Sequence, residues 1–91
     1  MHTFQVTRII DGDTFEVNPN WQWGGNEGNR VRPTGYDAAE LGSRGGLAAT
    51  TKLTNLILGR SVQLGNGHTV DRGRLVCEVY VDGRNLASYF K

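Results

Sequence analysis

The sequence predicts a small fold of the all-β or α+β class, in which five strands form a barrel and one helix lies between the third and fourth strands. Alternating apolar and polar residues, bounded by glycine, asparagine and aspartate, recur along much of the chain and are typical of half-buried strands. Only one segment has clear helical spacing of its apolar residues. With 91 residues and 37% hydrophobic content, the chain is predicted to form a single domain over residues 1–91.

Three strands are predicted in the first part of the chain. They cover residues 2–10, 14–17 and 30–35. In the first strand Phe4 and Val6 alternate with polar neighbours, and the Asp-Gly-Asp sequence at 11–13 turns the chain toward the second. Residues 18–29 are rich in Asn, Gly, Pro and Trp, which predicts a long hairpin tip rather than a regular element. Pro33 lacks a backbone donor and therefore indicates an edge or a bulge in the third strand.

The predicted helix lies in the middle of the chain. Its apolar stripe has the spacing i, i+4, i+7 and i+8 and consists of Ala49, Leu53, Leu56 and Ile57. Ser43 is predicted as the N-cap, and Gly59 is predicted as the C′ residue that ends the helix. We expect this helix to pack its apolar stripe on the sheet.

Two further strands and a helical turn complete the prediction. The strands cover residues 61–64 and 75–81. A loop is predicted at 65–73, Asp82-Gly83 ends the last strand, and Asn85 caps a closing helical turn. The apolar residues of that turn are Leu86, Tyr89 and Phe90. Five strands with one helix after the third are the arrangement of the oligonucleotide/oligosaccharide-binding barrel, the OB fold.

Charge and composition limit the classes of partner. Ten basic and nine acidic residues give a net charge of +1, so attraction of the whole protein to a polyanion is predicted to be weak and any nucleic-acid affinity to be local. We expect no membrane-spanning segment and no signal peptide in this chain, and the sequence assigns no localisation beyond that. The single cysteine, Cys77, lies in an alternating run and is predicted to be a core thiol rather than a reactive one.

Five residues in three short stretches have the chemistry that metal-assisted cleavage of a phosphodiester requires. They are Asp13, Arg32, Asp37, Glu40 and Arg74. Two carboxylates can hold a hard divalent cation, a third can accept a proton from water, and two guanidinium groups can bind the phosphate as charge develops in the transition state. The set therefore indicates a hydrolase site.

Each stretch taken alone also has an ordinary structural interpretation. Residues 11–14 match a common hairpin turn. The two carboxylates after the third strand could simply decorate the approach to the helix, and residues 71–75 could be a solvated basic loop. The conjunction of the three stretches, in this order and spacing, favours a functional site.

The three stretches, together with the last strand, resemble the staphylococcal nuclease (thermonuclease) family. Members of that family carry an Asp-Gly-Asp-Thr turn, the sequence Val-Arg-Leu-x-Gly-Ile-Asp-Ala-Pro-Glu, a helix, an Asp-x-Tyr-Gly-Arg-Leu stretch and a closing strand similar to Val-Tyr-Val-Asp-Gly. Here the corresponding segments are residues 11–14, 31–40, 71–75 and 79–83. The resemblance covers nearly the whole chain.

The resemblance implies a role for each residue of the site. Asp13 and Asp37 would bind Ca²⁺ through their carboxylates, and the backbone carbonyl of Ala38 would be a further ligand. Glu40 would be the general base. Arg32 and Arg74 would bind the scissile phosphate and stabilise the transition state. Asp11 and Thr14 would support the turn that carries the metal ligand.

The activity implied is that of a Ca²⁺-dependent endonuclease that hydrolyses DNA or RNA, with a preference for single strands, and leaves a 3′-phosphate and a 5′-hydroxyl. The alternative is a catalytically inactive OB-fold module that binds single-stranded nucleic acid or a protein partner. No membrane partner is expected, and the sequence does not assign an oligomeric state.

The chain departs from the family pattern at several positions. Pro33 and Ala39 stand where the family has a leucine and a proline, and the family tyrosine near Arg74 is missing at or beside Arg72. The segment before the helix, 41–44, is shorter than in the staphylococcal enzyme, and the later helices with their base-contacting tyrosine have no counterpart. Two tryptophans, Trp21 and Trp23, either replace that stacking platform or cover the barrel.

Overall fold

A computed structural model describes residues 3–38 and 42–90. The strands are β1 (Thr3–Asp11), β2 (Thr14–Trp23), β3 (Asn26–Pro33), β4 (Ser61–Asp71), β5 (Arg74–Val81) and β6 (Arg84–Asn85). The helix α1 (Gly46–Ile57) lies between β3 and β4, and a 3₁₀ helix (Leu86–Phe90) follows β6.

The first five strands form a closed barrel. Its hydrogen-bonded order is β3-β2-β1-β4-β5, with antiparallel neighbours, and a parallel pairing of β3 with β5 closes it. The two-residue strand β6 adds to the outer side of β5. The predicted five-stranded barrel, with one helix after the third strand and a short C-terminal helical turn, is confirmed.

The core occupies the inside of the barrel, where alternate residues of each strand meet. On β5 the residues Leu75, Cys77, Val79 and Val81 are all buried, as the period of a strand requires when one face is covered. The helix adds Leu53 and Ile57 to this core. Cys77 is confirmed as a core thiol, and burial raises its pKa to about 12.

Two predicted loops are wrong because both segments continue as paired strands. Residues 18–29 form the outer part of the β2–β3 hairpin, whose turn is only Gly24-Gly25, and β4 extends to Asp71 before the turn Arg72-Gly73. All four turn residues have positive φ, as two-residue hairpin turns require. The polar residues of the first hairpin pair across the strands instead: Asn20 and Gln22 both donate hydrogen bonds to Glu27.

The boundaries of the helix were predicted in part. Gly59 follows the C-cap Leu58 with φ 77°, so its prediction as the C′ residue is confirmed. The prediction of Ser43 as N-cap is wrong, because the helix begins two residues later, after Gly45 in a left-handed conformation. The side chain of Asn85 accepts a hydrogen bond from the backbone N–H of Ala87 at 2.9 Å and thereby caps the 3₁₀ helix as predicted.

Pro33 is the last residue of β3 and pairs with Cys77 of β5 in the parallel closure. The pairing of β2 with β3 ends two residues earlier, at Phe15 and Val31, so Pro33 stands where the strand has one neighbour. This position tolerates a residue without a backbone donor. Within the part of the chain that is described, no helix has the length and hydropathy needed to span a bilayer.

Candidate active site

The barrel topology brings three connections to one place. The β1–β2 turn carries Asp13, the end of β3 carries Arg32, and β5 begins with Arg74. In the parallel closure Arg30 lies opposite Arg74, and Arg32 lies two residues further along β3. Because residues two apart on a strand share a face, both predicted phosphate-binding arginines occupy neighbouring positions on the outside of the barrel.

Arg32 connects the two predicted metal ligands. Its Nη2 donates to Oδ1 of Asp37 at 3.0 Å and to Oδ2 of Asp13 at 3.5 Å. The two carboxylates therefore converge on one guanidinium nitrogen. Asp13 is buried, whereas the side chain of Asp37 is 91% exposed, so this pair of ligands has one fixed and one solvated member.

Arg74 is held by hydrogen bonds on three of its nitrogens. Its Nη1 donates to Oγ1 of Thr14 at 3.0 Å, Nη2 donates to Oδ2 of Asp71 at 2.9 Å, and Nε donates to the backbone carbonyl of Asp71 at 3.3 Å. Thr14 in turn donates to Oδ1 of Asp13 at 3.4 Å. Both arginines are thus linked to Asp13, one directly and one through a hydroxyl.

The β1–β2 turn is fixed from several sides. The side chain of Asp11 accepts the backbone N–H of Asp13 at 3.1 Å. The hydroxyl of Tyr36 donates to the backbone carbonyl of Gly12 at 3.0 Å, and the ring of Tyr36 stacks on Phe90 with 4.1 Å between centroids. These contacts connect the turn to the loop after β3 and to the C-terminal 3₁₀ helix.

Gly12 permits a close approach that brings Ala38 to the same turn. A Cβ atom at Gly12 would lie 2.7 Å from the Cβ of Ala38 and 2.7 Å from the Cβ of Ala49 in α1. Such distances are too short for any side chain, so only glycine fits between the loop and the helix. The residue predicted to contribute a backbone carbonyl to the metal therefore lies against the turn that carries Asp13.

The surroundings of the β1–β2 turn disfavour the ionised form of the Asp13 carboxyl. Burial raises the pKa of the Asp13 carboxyl, and the hydrogen bond and negative charge of Asp11 raise it further, whereas Arg32 and Arg74 act in the opposite direction. Burial, with the charges of Asp13 and Asp11, also raises the pKa of Tyr36 well above its usual range. Tyr36 therefore stays protonated and able to donate its hydrogen bond.

The donor set fits a hard divalent cation. Asp13, Asp37 and the Ala38 carbonyl offer oxygen atoms alone, which is the chemistry that Ca²⁺ prefers. The raised pKa of Asp13 indicates a need for positive charge that the two arginines do not fully meet. Among residues 3–38 and 42–90 no three His, Cys, Asp or Glu side chains are grouped to hold a metal.

Four of the predicted site residues, Asp13, Arg32, Asp37 and Arg74, belong to one hydrogen-bonded network. The predicted general base, Glu40, lies outside the described residues, as does its neighbour Ala39. Two partners of the network were not assigned from the sequence, Tyr36 and Asp71. The i, i+3 spacing of Asp71 and Arg74 is a sequence signal from which Asp71 could have been assigned as a partner of Arg74.

The two tryptophans differ in their environments. Trp21 is buried and its Nε1 donates to the backbone carbonyl of Arg30 at 2.7 Å, so this ring covers the barrel. Trp23 is 36% exposed and lies over Gly67 of β4. Only Trp23 therefore retains a surface that a ligand can reach.

No family model matches the chain, and no curated protein matches it.

Proposed function

We propose that this protein is a Ca²⁺-dependent endonuclease that hydrolyses phosphodiester bonds of DNA or RNA, with the mechanism of the staphylococcal nuclease family that its motifs resemble. The observation that carries the proposal is the convergence of Arg32 and Arg74 on Asp13 from two strands that meet only at the closure of the barrel. Two arginines beside paired carboxylates supply both phosphate binding and metal binding in one place.

The two arginines are arranged to bind the phosphate. Their side chains are only 28% and 19% exposed for Arg32 and Arg74, and each is oriented by an aspartate, Asp37 and Asp71 respectively. The carboxylate partner of Arg74, Asp71, is not a predicted metal ligand, so Arg74 can keep this partner and loses little entropy when it binds a phosphate oxygen. Donors held in place also stabilise the extra negative charge of the transition state.

Asp13, Asp37 and the backbone carbonyl of Ala38 would hold the cation. When bound, Ca²⁺ supplies positive charge that neutralises the phosphate and the crowded carboxylates. Arg32 now occupies the space between the two carboxylates, so we expect it to exchange these partners for the phosphate as substrate and cation enter.

Glu40 would accept a proton from the attacking water as oxygen adds to phosphorus. The bond from phosphorus to the 5′-oxygen then breaks, and that oxygen takes a proton from solvent. The products are a 3′-phosphate and a 5′-hydroxyl. General-base catalysis of this kind contributes roughly 10²- to 10⁴-fold to the rate.

The alternative function is a non-catalytic barrel that binds single-stranded nucleic acid or a protein partner. The observations that favour it are the net charge of only +1 and the aspartate partners that both arginines already have. Such a binder would not depend on calcium beyond the effect of ionic strength.

The test is cleavage of a labelled single-stranded DNA and of the matching RNA, with Ca²⁺ and with chelator. We expect calcium-dependent cutting that Glu40→Gln reduces at least 10²-fold. Glu27→Gln is the matched control, because it makes the same carboxylate-to-amide change on the β2–β3 hairpin. Thermal unfolding of all three proteins checks that they fold. Binding without cutting, or full activity of Glu40→Gln, would contradict the proposed mechanism.

A further inference from the structure

A cleft opens beside the β2–β3 hairpin where two strands separate. The β1–β2 register runs only as far as Gln5 and Asn18, and the first residues of β1 pair with β4 instead. The outer half of β2 therefore leaves β1. The space between them is a cavity of about 560 Å³ whose apolar lining comes from Phe4, Pro19, Trp21, Trp23, Leu64 and Leu75.

Trp23 is held on one wall of this cleft by a glycine. A Cβ at Gly67 would collide with the indole, so the ring rests directly on the backbone of β4. This contact joins the β2–β3 hairpin to the β4–β5 hairpin and fixes the position of the ring. About a third of Trp23 still remains exposed (36%), although a large aromatic side chain gains from burial.

The lining of the cleft selects for an uncharged ligand. Its polar members are Thr3, Asn20 and Gln22, and none of its lining residues carries a charge. A phosphate therefore has no partner in the cleft. Asn20 and Gln22 each already donate an amide hydrogen to Glu27, so their carbonyl oxygens and the Thr3 hydroxyl are the groups that a ligand would meet beside the indole. A flat, uncharged ring with hydrogen-bonding edges fits these groups, and this is the chemistry of a nucleobase.

The strand β4 connects the cleft to the site. Asp71, which binds Arg74, is four residues from Gly67. A regular strand would cover roughly 13 Å over this length, and the irregular register between Gly67 and Thr69 makes that an upper value. The residues between them are His68, Thr69 and Val70, none of which is acidic. The nearest carboxylate on the neighbouring strand is that of Glu78, which lies beside Gly65 at the cleft. At about 3.4 Å per stacked nucleotide, this distance corresponds to about four nucleotides.

We propose that Trp23 and this cleft bind a base of the substrate strand about four nucleotides from the phosphate held by Arg32 and Arg74. The inference rests on the proposed function, because it takes the phosphate position from that site. It adds a base-binding subsite that determines how long a single strand must be for efficient binding.

The first test is a length series of oligothymidylates from two to eight nucleotides, cleaved in the presence of Ca²⁺. We expect kcat/KM to rise on the order of tenfold once the chain exceeds about four nucleotides, because one stacked base is gained. Trp23→Leu should remove this rise and leave the dinucleotide unchanged. Trp23→Phe, which keeps an aromatic face, should retain most of it. Leu58→Ala, an exposed apolar residue at the end of α1, is the control.

The second test measures binding without cleavage, by quenching of tryptophan fluorescence on addition of the octathymidylate in chelator. We expect quenching in the unmodified protein. Binding to Trp23→Leu, which lacks the reporting indole, is followed instead by the fluorescence anisotropy of labelled octathymidylate, measured on both proteins, and should be about tenfold weaker. This result would support the cleft even if no cleavage were found, in which case only the nuclease proposal fails.

Three outcomes would overturn the inference. One is a length dependence that Trp23→Leu and Trp23→Phe both leave unchanged in an active nuclease. Another is octathymidylate binding that neither variant weakens. The third is quenching by a neutral oligosaccharide but not by the oligonucleotide, which would assign the cleft to sugars.

Discussion

Asp13 is the residue through which the two arginines of the site are connected. Its two carboxylate oxygens contact different partners, Arg32 on one side and Thr14, the partner of Arg74, on the other. The same residue is buried beside the negative charge of Asp11. Two neighbouring carboxylates favour the binding of a cation, but without the cation the buried charge of Asp13 lowers the stability of the folded protein. Such a conflict between stability and function is common.

The substitution Asp13→Asn should therefore stabilise the calcium-free protein at neutral pH. The folded-state pKa of Asp13 is raised above its ordinary value of 3.8, so ionisation of this carboxyl costs folding free energy as the pH rises through that interval. After solvent screening the gain should be below about 1 kcal/mol, or a few degrees in the midpoint of thermal unfolding.

The measurement is thermal unfolding of both proteins in chelator from pH 3 to pH 8. The difference in unfolding midpoint between the two proteins should be largest at pH values above the raised pKa of Asp13. It should vanish below the ordinary value of 3.8, where this carboxyl is protonated in both the folded and the unfolded protein. Added Ca²⁺ should raise the midpoint of the unmodified protein only. A destabilised Asp13→Asn protein at neutral pH would show that the Arg32 contact outweighs the burial of the charge.

At the scale of elements, the C-terminal 3₁₀ helix reaches the site through a single side chain. Phe90 stacks on Tyr36, the ammonium group of Lys52 in α1 lies 4.8 Å from the centre of the Phe90 ring, and Tyr36 binds the Gly12 carbonyl. Three elements thus converge on the turn that carries Asp13. Tyr36 is therefore a positioning residue, because its hydroxyl holds the backbone carbonyl of Gly12, next to the predicted metal ligand Asp13.

The substitution Tyr36→Phe should keep the stacking and remove only the hydrogen bond to the turn. We expect a loss of about 1 kcal/mol of stability and a several-fold weaker affinity for Ca²⁺, since the carbonyl of Gly12 loses its donor. Tyr89→Phe is the control, because its ring lies under Arg84 on β6. Calcium titrations followed by thermal unfolding give both quantities. Equal calcium affinity in both variants would make Tyr36 a structural residue only.

The elements that the sequence predicted well are those whose pattern is local. The alternation of Leu75, Cys77, Val79 and Val81 marks β5. Gly59 marks the C-terminal end of α1, where the backbone is left-handed, and Asn85 marks the start of the 3₁₀ helix that it caps. The outer halves of the hairpins could not be predicted, because their support is non-local. Trp21 bonds a carbonyl nine residues away, and Trp23 rests on a glycine of another hairpin.

The site residues divide in the same way, into those with a local sequence signal and those that depend on distant contacts. The residue types and their order selected Asp13, Arg32, Asp37 and Arg74, and the structure joins these four side chains in one hydrogen-bonded network. Their assignment as a functional site stays a prediction. The role of Tyr36 could not be predicted, because its hydroxyl binds a backbone carbonyl 24 residues away and a carbonyl has no signature in the sequence. The assignment of Glu40 stays a prediction, as do calcium binding and catalysis.

At the scale of the whole molecule, the near balance of charge limits how salt affects binding. With a net charge of +1, attraction of the proposed nucleic-acid substrate would come from the arginines of the site rather than from the overall field. Each phosphate neutralised on a single strand contributes about 0.7 to the slope of log affinity against log salt.

We therefore expect a slope of roughly −1 to −2 for single-stranded DNA, measured at constant Ca²⁺, because the two arginines would displace about two counterions from the strand, at about 0.7 each. Arg74→Gln should reduce the slope by about 0.7, whereas Arg84→Gln, the surface arginine stacked on Tyr89, should leave it unchanged. A slope several times steeper would reveal a larger basic surface than the site contains.

The closure of the barrel by β3 and β5 also determines when the site can exist during synthesis. Arg74 and Thr14 are 60 residues apart in the chain, and contacts of such separation form late in folding. A nascent chain that has not yet added β5 lacks both the closing strand and one of the two arginines. The growing polypeptide, surrounded by ribosomal and messenger RNA, therefore cannot assemble the proposed phosphate-binding pair before the last strand of the barrel is in place.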